Sequence, residues 1–331
     1  MTTIFLTHIP DMLANYYGER ALAALRELGD VRLNETGKVL DAQALALAAK
    51  GCEIIVSDRQ TPGPAEFFPL APDLVAFLRV AVDIRNIDVA VASREGILVT
   101  HATPGFIESV AEMAIGFMID CGRTITSSAA IYHAGRVPEA RMGRQLSGST
   151  VGIIGYGAIG QYLAPLCVAL GMTVLIHDPF KTISEPGLLQ AGFGEVLARS
   201  DFVICLAIAN EQTENLMNSA AFVQMKKSAF FINLSRGNLV DEAALAAALN
   251  DKTIAGAALD VGRAQDQMPS PALAARADVI ATPHIAGLTP NAAEHQAFDT
   301  VNQVKELVAG GMPPGAANPD AAARLTRLKR A

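Results

Sequence analysis

The sequence predicts an α/β protein made of two Rossmann-like parallel-sheet lobes with a cleft between them. Short apolar runs typical of buried strands alternate with helical patterns along most of the chain, which is the order found in doubly wound parallel sheets. A glycine-rich turn at residues 155–160 follows one such run and opens a helix, as in a dinucleotide-binding unit. The 331 residues are enough for two domains.

The elements of the first lobe begin at the N-terminus. Strands are predicted at 2–7, 31–33, 52–57 and 78–82, and helices at 11–28, 41–49 and 73–77. A polar loop at 58–63 follows a strand, at the end where parallel sheets commonly bind ligands. Residues 1–100, with about 296–331, are expected to form a substrate domain, which leaves 101–295 as the dinucleotide-binding domain.

The second lobe starts after a crossing at 99–105 that ends in turn chemistry, Thr103-Pro104-Gly105. Strands are predicted at 151–154, 174–176, 202–206, 229–233, 254–259 and 279–281, and helices at 107–121, 127–133, 161–170, 219–224, 241–249 and 291–307. The helix at 107–121 is so apolar that, with the next helix, it indicates a subunit interface or plain core. The interface interpretation predicts a homodimer.

The turn at 155–160 carries the G-x-G-x-x-G spacing with a strand before it and a helix after it. Gly155 makes the tight turn, Gly157 allows the backbone to approach a pyrophosphate, and Gly160 lets the helix pack on the strand. Asp178 ends the next strand, where a carboxylate accepts from both ribose hydroxyls of NAD and repels the 2′-phosphate of NADP; the nearby Lys181 weakens that preference. The alternative is a simple helix–strand packing turn.

Composition excludes several classes of partner. Hydrophobic residues make up 51% and charged residues 18%, and the net charge of −7 argues against a nucleic-acid partner. No uncharged apolar run reaches the ~18 residues that span a membrane, and no cleavable leader is recognised. The four cysteines form no C-x-x-C pair, so buried thiols in a reducing cytoplasm are expected and no metal site is predicted.

Three polar residues stand at predicted strand ends of the second lobe: Arg236, Asp260 and His284. An arginine there can clamp a substrate carboxylate, and a histidine can exchange a proton with a substrate hydroxyl while hydride moves. Asp260 can accept from the nicotinamide carboxamide. Each residue alone has a plain structural alternative, namely a loop-capping Arg, a helix-capping Asp or a satisfied His.

The chain resembles the D-isomer-specific 2-hydroxyacid dehydrogenases over nearly its whole length, through the segments GIIGYGAIG, MKKSAFFINLSRGNLVDEAALAAAL, GAALDV and TPHIAG. The resemblance implies NAD in the cleft, a homodimer and hydride transfer at C2 of a small carboxylate substrate. It makes Arg236 the substrate-binding residue and His284 the acid/base. Expected at the cofactor are Gly155, Gly157, Ala158, Ile159, Gly160, Asp178, Thr213, Ser235, Asp260 and Gly287.

The first departure from the family concerns the partner of His284. The family usually has a Glu five residues after the GAALDV aspartate, and that position is Gln265 here. Gln can orient an imidazole but supplies no charge. A slip of one residue brings Asp266 into the role instead. We assign Gln265 to the catalytic set and leave open which of the two residues pairs with His284.

The second departure is the substrate loop, which is R-x-G-x-G in the family and reads Arg79-Val80-Ala81-Val82-Asp83 here. Val82 and Asp83 are assigned to substrate binding, although Asp83 repels a carboxylate unless Arg85 or Arg59 offsets its charge.

The third departure is Phe106, which stands where formate dehydrogenases of the family bind formate through Asn. With Phe67 and Phe68, it indicates a larger, more apolar substrate, although all three rings also fit plain core.

These residues predict an NAD-dependent 2-hydroxyacid dehydrogenase with a substrate atypical for the family. Two alternatives remain. One is a binding protein that senses NAD(H) and has lost catalysis, favoured by Asp83 and Gln265 but not by the Arg236 and His284 pair. The other is a dehydrogenase for formate or another small oxyanion.

Overall fold

The chain divides into two compact units in the computed structural model, which describes residues 1–328. The first unit comprises Met1–Gly105 and Thr289–Ala331, and the second comprises Phe106–Leu288. The last three residues of the expected substrate domain, 329–331, lie outside the described residues. The chain passes from one unit to the other between residues 105 and 106 and again between 288 and 289, and the sequence predicts crossings near 100 and 290.

Twelve strands and twelve α-helices are described within residues 1–328. The strands are β1 Thr2–Leu6, β2 Gly29–Leu33, β3 Ile54–Ser57, β4 Ala76–Arg79, β5 Leu98–His101, β6 Thr150–Ile154, β7 Thr173–His177, β8 Leu188–Gln190, β9 Phe202–Cys205, β10 Phe230–Asn233, β11 Gly256–Leu259 and β12 Val279–Ala281. The helices are α1 Pro10–Met12, α2 Gly18–Leu28, α3 Ala42–Ala48, α4 Val89–Arg94, α5 Ile107–Arg123, α6 Ile125–His133, α7 Ala158–Ala169, α8 Phe193–Arg199, α9 Ser219–Gln224, α10 Glu242–Asn250, α11 Pro271–Ala274 and α12 Pro290–Val308.

The first unit is built on a five-stranded parallel sheet in the order β2-β1-β3-β4-β5. Side chains alternate between its faces because successive residues of a strand point to opposite sides. Ile4 and Leu6 join the core beneath α2 and α12, whereas Phe5 joins a second core with Leu45 and Phe77. Both faces are therefore covered, as a parallel sheet requires.

The second unit is built on a seven-stranded parallel sheet in the order β12-β11-β10-β9-β6-β7-β8. Helices α5 and α7 pack together over one face, with Met118 and Leu163 fully buried there. Helices α8, α9 and α10 cover the other face around Phe222 and Leu245. The predicted fold class, two Rossmann-like parallel-sheet lobes, is confirmed for each unit by itself.

The predicted helix at 73–77 is wrong. Residues 76 and 77 belong to β4, a central strand that is buried on both faces between β3 and β5. A short apolar run fits a doubly buried strand as well as a helix, so its periodicity does not separate them. Five more elements were not predicted, namely α4, β5, β8, α8 and α11. Asp88 caps α4 through the Val91 amide at 2.9 Å, and β5 overlaps the predicted crossing.

One side of helix α5 is packed into the hydrophobic core of the second unit. Phe117 and Met118 are buried against the sheet, and Met113 is partly buried beside them. Within residues 1–328, none of the helices combines the length and the apolarity needed to cross a bilayer.

Candidate active site

The carboxyl edge of the seven-stranded sheet collects most of the predicted site residues. Six strands end there in turns or loops that each carry at least one such residue. Taken across the sheet from β12 to β7, examples are His284, Asp260, Arg236, Thr213, Gly155 and Asp178. The strand order changes direction between β9 and β6, and ligands of open α/β sheets bind outside such a switch point.

The glycine turn has the geometry that a pyrophosphate needs. Gly155 has a φ of +99°, and a Cβ there would stand 2.7 Å from the Ala207 nitrogen. A Cβ on Gly160 would stand 2.6 Å from the Gly155 carbonyl oxygen. Gly157, in contrast, has nothing within 4 Å of such an atom and precedes α7, whose first amides lack helical partners. Open space in front of a helix N-terminus suits an anion.

Asp178 lies directly beside this turn. Its Oδ2 accepts from the Tyr156 amide at 2.8 Å, and its Oδ1 accepts from the Phe180 amide at 2.9 Å. Both bonds orient the carboxylate at the end of β7, and the residue stays half-exposed. The residues therefore fit a dinucleotide: the α7 N-terminus and Gly157 for the phosphates, and Asp178 for the adenosine ribose. Ala158 is exposed and Ile159 is partly buried against the core.

Thr213 and Ser235 shape the loops between these two ends. The Thr213 hydroxyl donates to the Ile208 carbonyl at 2.6 Å and accepts from the Asn210 amide at 2.9 Å, which closes the loop after β9. The Ser235 hydroxyl donates to the Ala207 carbonyl at 2.6 Å, which ties the end of β10 to the end of β9. Both residues therefore support loop structure in addition to any contact with a ligand.

Arg236 is half-buried at the end of β10. One guanidinium nitrogen, Nη1, donates to the Ser235 carbonyl at 2.7 Å. The buried Asn233 shapes the turn: its amide nitrogen donates to the Arg236 carbonyl at 2.9 Å, and its Oδ1 accepts from the Ser235 amide at 3.1 Å. Sequence reasoning missed Asn233, although it stands in the quoted motif as a polar residue at the end of an apolar strand.

Asp260 is buried, and its carboxylate organises the turn that carries His284. Oδ1 accepts from the Thr282 hydroxyl at 2.6 Å and from the Ile285 amide at 2.8 Å, and Oδ2 accepts from the Ala286 amide at 2.9 Å. The contact between Asp260 and the nicotinamide carboxamide stays a prediction, because all three hydrogen bonds to the carboxylate come from the protein itself.

His284 has a backbone φ of +55°, a left-handed conformation that is uncommon for a residue with a side chain. Its amide donates to the Asp260 carbonyl at 2.9 Å. Such conformations persist where the surrounding structure enforces them and cluster at functional sites.

The imidazole of His284 bonds to neither predicted side chain. Its Nδ1 lies 2.8 Å from the backbone carbonyl oxygen of Asp266. The side chains of Gln265 and Asp266 are both exposed, and no hydrogen bond joins either of them to His284 within residues 1–328. The assumption that one of these two side chains pairs with the ring therefore needs correction, because a main-chain oxygen takes that place.

Comparison with known proteins decides the family. Residues 115–286 match the family model described as D-isomer specific 2-hydroxyacid dehydrogenase, NAD binding domain. An (S)-sulfolactate dehydrogenase from Chromohalobacter salexigens is 33% identical over 304 residues, which cover 90% of this chain and 97% of that protein. The chain belongs to the D-isomer-specific 2-hydroxyacid dehydrogenases.

Other relatives of this dehydrogenase agree with that assignment. A D-3-phosphoglycerate dehydrogenase from Mycobacterium leprae is 30% identical over 313 residues, which cover 93% of this chain but 58% of that longer protein. A solved D-isomer specific 2-hydroxyacid dehydrogenase from Lactobacillus delbrueckii ssp. bulgaricus, in an NAD-complexed form, shares the fold with a TM-score of 0.79 at 24% identity, covering 96% of this chain and 100% of that one. The protein is thus an NAD-dependent oxidoreductase that acts on a CH–OH group.

The substrate-loop residues of the dehydrogenase lie in its first unit. Val82 is 36% exposed just beyond β4. The Asp83 carboxylate accepts from the Arg85 guanidinium, with Nε at 3.0 Å from both oxygens and Nη2 at 2.6 Å from Oδ2. Of the two arginines considered for offsetting the Asp83 charge, Arg85 makes this contact. The pair is largely exposed, so it contributes little to stability but neutralises the loop.

The three phenylalanines separate into two kinds. Phe67 and Phe68 are fully buried and pack edge-on against each other and against Phe77, so they are core of the first unit. Phe106 is half-buried in the second unit, where its Cβ would lie 3.0 Å from a Cβ placed on Gly287. Gly287 therefore leaves room for the Phe106 ring, and only Phe106 of the three remains a candidate for contact with substrate.

A buried polar cluster lies under the substrate loop, at the carboxyl edge of the five-stranded sheet. The fully buried Arg79 donates to the carbonyls of Asp58 and Thr61 and to Asn86 Oδ1, the last two at 3.0 and 2.7 Å. Asp58 accepts from the Thr7 and Thr61 hydroxyls at 2.7 and 2.8 Å. Burial would raise the pKa of Asp58, but these hydrogen bonds and the nearby His8 outweigh it, so its pKa is lowered.

His8 is a buried residue of this cluster whose pKa is strongly lowered. It is 2% exposed and its ring contacts Tyr17 at 5.1 Å between centroids. Burial lowers the pKa of His8 to about 4; Asp58 opposes this effect and Arg79 adds to it. His8 is therefore neutral at physiological pH. No group of three or more His, Cys, Asp or Glu side chains in the described part of the chain is arranged to hold a metal ion.

Proposed function

We propose that the dehydrogenase interconverts a 2-hydroxyacid and its 2-ketoacid with Arg236 as the substrate-carboxylate ligand and His284 as the acid/base. The observation that carries this proposal is the contact of His284 Nδ1 with a carbonyl oxygen at 2.8 Å. A carbonyl only accepts, so Nδ1 holds the proton and Nε2 keeps a lone pair that can take the hydroxyl proton of a substrate.

Bound NAD supplies the hydride acceptor in the oxidation and, as NADH, the hydride donor in the reverse reaction. The residues of the chain do the rest. The guanidinium of Arg236 binds the carboxylate in bidentate fashion and orients C2. Nε2 of His284 removes the proton from the hydroxyl oxygen during oxidation and returns it to the ketone oxygen during reduction.

The substrate that the loop supports best is a monocarboxylate whose side chain carries no second charge. Val82 offers an exposed apolar surface, and the Asp83 and Arg85 pair presents no net charge. Separately, Phe106 offers an aromatic surface in the second unit. These features favour apolar ketoacids over those with a phosphate or sulfonate group, which makes the substrate atypical for relatives such as the sulfolactate and phosphoglycerate dehydrogenases.

A ketoacid panel tests the proposal. NADH oxidation is measured with glyoxylate, pyruvate, 2-ketoisocaproate and phenylpyruvate, and with sulfopyruvate and phosphohydroxypyruvate, the two ketoacids that carry a second acidic group. We expect kcat/KM to be at least about tenfold higher for 2-ketoisocaproate or phenylpyruvate than for either ketoacid with a second acidic group. A clear preference for a ketoacid with a second acidic group would refute the substrate proposal. No turnover of any compound, with NADH still bound, would support the NAD(H)-sensing alternative.

Three variants, one of them a control, separate the loop from the acid/base. Asp83→Asn leaves Arg85 without its paired carboxylate, so relative activity on ketoacids with a second acidic group should rise. Asp30→Asn makes the same charge change on the exposed end of β2 and should leave the preference unaltered. His284→Gln should abolish most turnover while NADH binding, followed by fluorescence, is kept; equal loss of both would refute the role of His284.

We also propose that the dehydrogenase forms a homodimer through α5, α6 and the segment after them. This region exposes large apolar side chains: Ile125 at 53%, Tyr132 at 60%, Val137 at 83% and Met142 at 102%. Light scattering of Val137→Asp should show a shift from dimer to monomer. Val223→Asp, which charges an exposed apolar residue on α9, should leave the mass unchanged. A monomeric parent protein would refute the proposal.

We further propose a reducing compartment such as the cytoplasm. All four cysteines are free and buried, namely Cys52, Cys121, Cys167 and Cys205. Burial raises the pKa of each thiol, that of Cys52 to about 11, which keeps it protonated and unreactive. Fractionation of the native host, with the protein detected by antibody, tests the compartment.

A further inference from the structure

The orientation of His284 depends on a loop at residues 262–268 whose own conformation is unusual. Asp266 has φ +55° and ψ +24°, and Gln267 has φ +60°, so two consecutive residues with side chains are left-handed. The left-handed conformation costs little energy for glycine, more for Asn or Asp, and most for other residues such as Gln267. The surrounding structure therefore enforces this geometry, which aims the Asp266 carbonyl at the imidazole.

Hydrogen bonds inside the 262–268 loop fix its path. The Gly262 amide donates to the Gln267 carbonyl at 2.8 Å, and the Ala264 amide donates to the Met268 carbonyl at 3.0 Å. Gly262 packs too closely for any side chain, because a Cβ there would lie 2.5 Å from the Pro269 Cα. The Asp266 carbonyl therefore lies within a turn that is closed by hydrogen bonds, and not in a free extended segment.

Arg263 fastens this turn to the body of the second unit. Its guanidinium pairs with Glu214 at 2.8 Å and donates to the Asn238 and Val240 carbonyls at 3.0 and 3.1 Å. Its amide donates to Glu242 Oε1 at 3.0 Å. The pairing with Arg263 and a hydrogen bond from Asn238 lower the pKa of the Glu214 carboxyl, so it stays ionised and the pair persists at moderately acidic pH.

We propose that the main-chain carbonyl of Asp266, held by the Arg263-anchored loop, is the positioning group for His284, in place of a side-chain carboxylate or amide. It fixes the Nδ1–H tautomer and the ring orientation through a neutral acceptor. The side chains of Gln265 and Asp266 are dispensable for this task. The inference rests on the proposed role of His284 as the acid/base.

The first experiment reads the tautomer without substrate or cofactor. Long-range ¹H–¹⁵N spectra of the full chain, labelled on histidine and recorded at alkaline pH, distinguish Nδ1–H from Nε2–H, and the signal missing in His284→Gln identifies the residue. We expect the Nδ1–H form in the parent protein, in Gln265→Ala and in Asp266→Asn. A predominant Nε2–H form in the parent protein would overturn the inference.

Two further variants move the carbonyl itself. Asp266→Val places a β-branched residue at the left-handed position, and Arg263→Met removes the anchor while it keeps the alkyl stem. In both, we expect mixed tautomers and a kcat at least about tenfold lower, with KM changed less. Asp266→Asn keeps the backbone and should retain kcat.

These results separate the inference from the proposed function. If Asp266→Asn lowers kcat as much as Asp266→Val does, the carboxylate is the partner and the inference is wrong. If the tautomer behaves as expected but no ketoacid is reduced, the positioning stands and the proposed substrate class falls.

Discussion

Replacing His8 by phenylalanine tests whether the buried polar cluster of the first unit makes the protein sensitive to acid. His8 is buried against Tyr17 beneath the substrate loop, and its Nδ1 has no hydrogen-bond partner among the described residues. A neutral ring is tolerated there, whereas a proton on it adds a charge that burial disfavours. Phenylalanine keeps an aromatic ring against Tyr17 and cannot be protonated.

The size of the effect follows from the difference between the folded and unfolded states. Burial lowers the pKa of His8 from 6.5 to about 4 in the folded protein. Between these values the unfolded chain binds a proton that the folded chain does not, so stability is present above pH 6.5 and is lost as the pH falls toward 4. At about 1.4 kcal/mol per pKa unit, the full loss is roughly 3.5 kcal/mol, and at about pH 4.5 it is roughly 2.5 kcal/mol.

Urea unfolding of the parent protein and of His8→Phe at about pH 7 and about pH 4.5 measures this difference. Other groups also titrate in this range, so the quantity of interest is the extra loss in the parent protein. His133→Phe, which replaces an exposed histidine on α6, should behave like the parent. A direct check is the ¹³C-histidine spectrum: of the six histidines, the signal missing in His8→Phe should not titrate above about pH 5.

Parallel loss of stability in the parent protein and in His8→Phe would refute this reasoning. So would a His8 signal that titrates near pH 6.5, the ordinary value. Either result would mean that the ring is hydrated or is stabilised by Asp58 more strongly than burial opposes it.

Three further predictions concern the cofactor edge. Gly160→Ala should lower the melting temperature and weaken NADH binding at least about tenfold, because its Cβ would lie 2.6 Å from the Gly155 carbonyl oxygen. Gly157→Ala should weaken NADH binding and leave the melting temperature unchanged. Calorimetry measures the melting temperature, and fluorescence titration measures the binding. Asp178→Ser should raise the NADPH/NADH ratio of kcat/KM about tenfold or more, and an unchanged ratio would exclude a ribose contact. Asp260→Asn should lower the free energy of unfolding by about 2 kcal/mol and reduce kcat, because the new side-chain N–H group faces one of the three hydrogen-bond donors and that bond is lost.

Much of the second unit could be predicted from the sequence because its local signals agree. The bounds of β12 and α9 are those predicted, and the glycine turn follows β6 as expected. Most strands there are followed within two residues by polar or turn residues, so most apolar runs have clear ends. The parallel order then brings Arg236, Asp260 and His284 to one edge without further information.

The partner of His284 could not be predicted, for a physical reason. Sequence motifs report side chains, and the partner is a main-chain oxygen. Its direction depends on the left-handed backbone of Asp266 and Gln267, neither of which is a glycine that would have signalled it. Two other features also depend on the folded structure and not on the local sequence. Residues 76 and 77 belong to a buried strand instead of the predicted helix at 73–77, and Asp83 pairs with Arg85 and not with Arg59.

The division of the first unit between the two ends of the chain has a consequence for biosynthesis. Helix α12 supplies Val301 and Val304 to the core beneath the five-stranded sheet, and Asn318 bonds to the Val99 amide and the Ile97 carbonyl on either side of Leu98, at 2.8 and 2.9 Å. These residues are translated after the whole of the second unit. The second unit is contiguous, whereas the first lacks α12 until the second has been made. A nascent chain stopped before α12 would therefore expose the apolar face of the five-stranded sheet to chaperones.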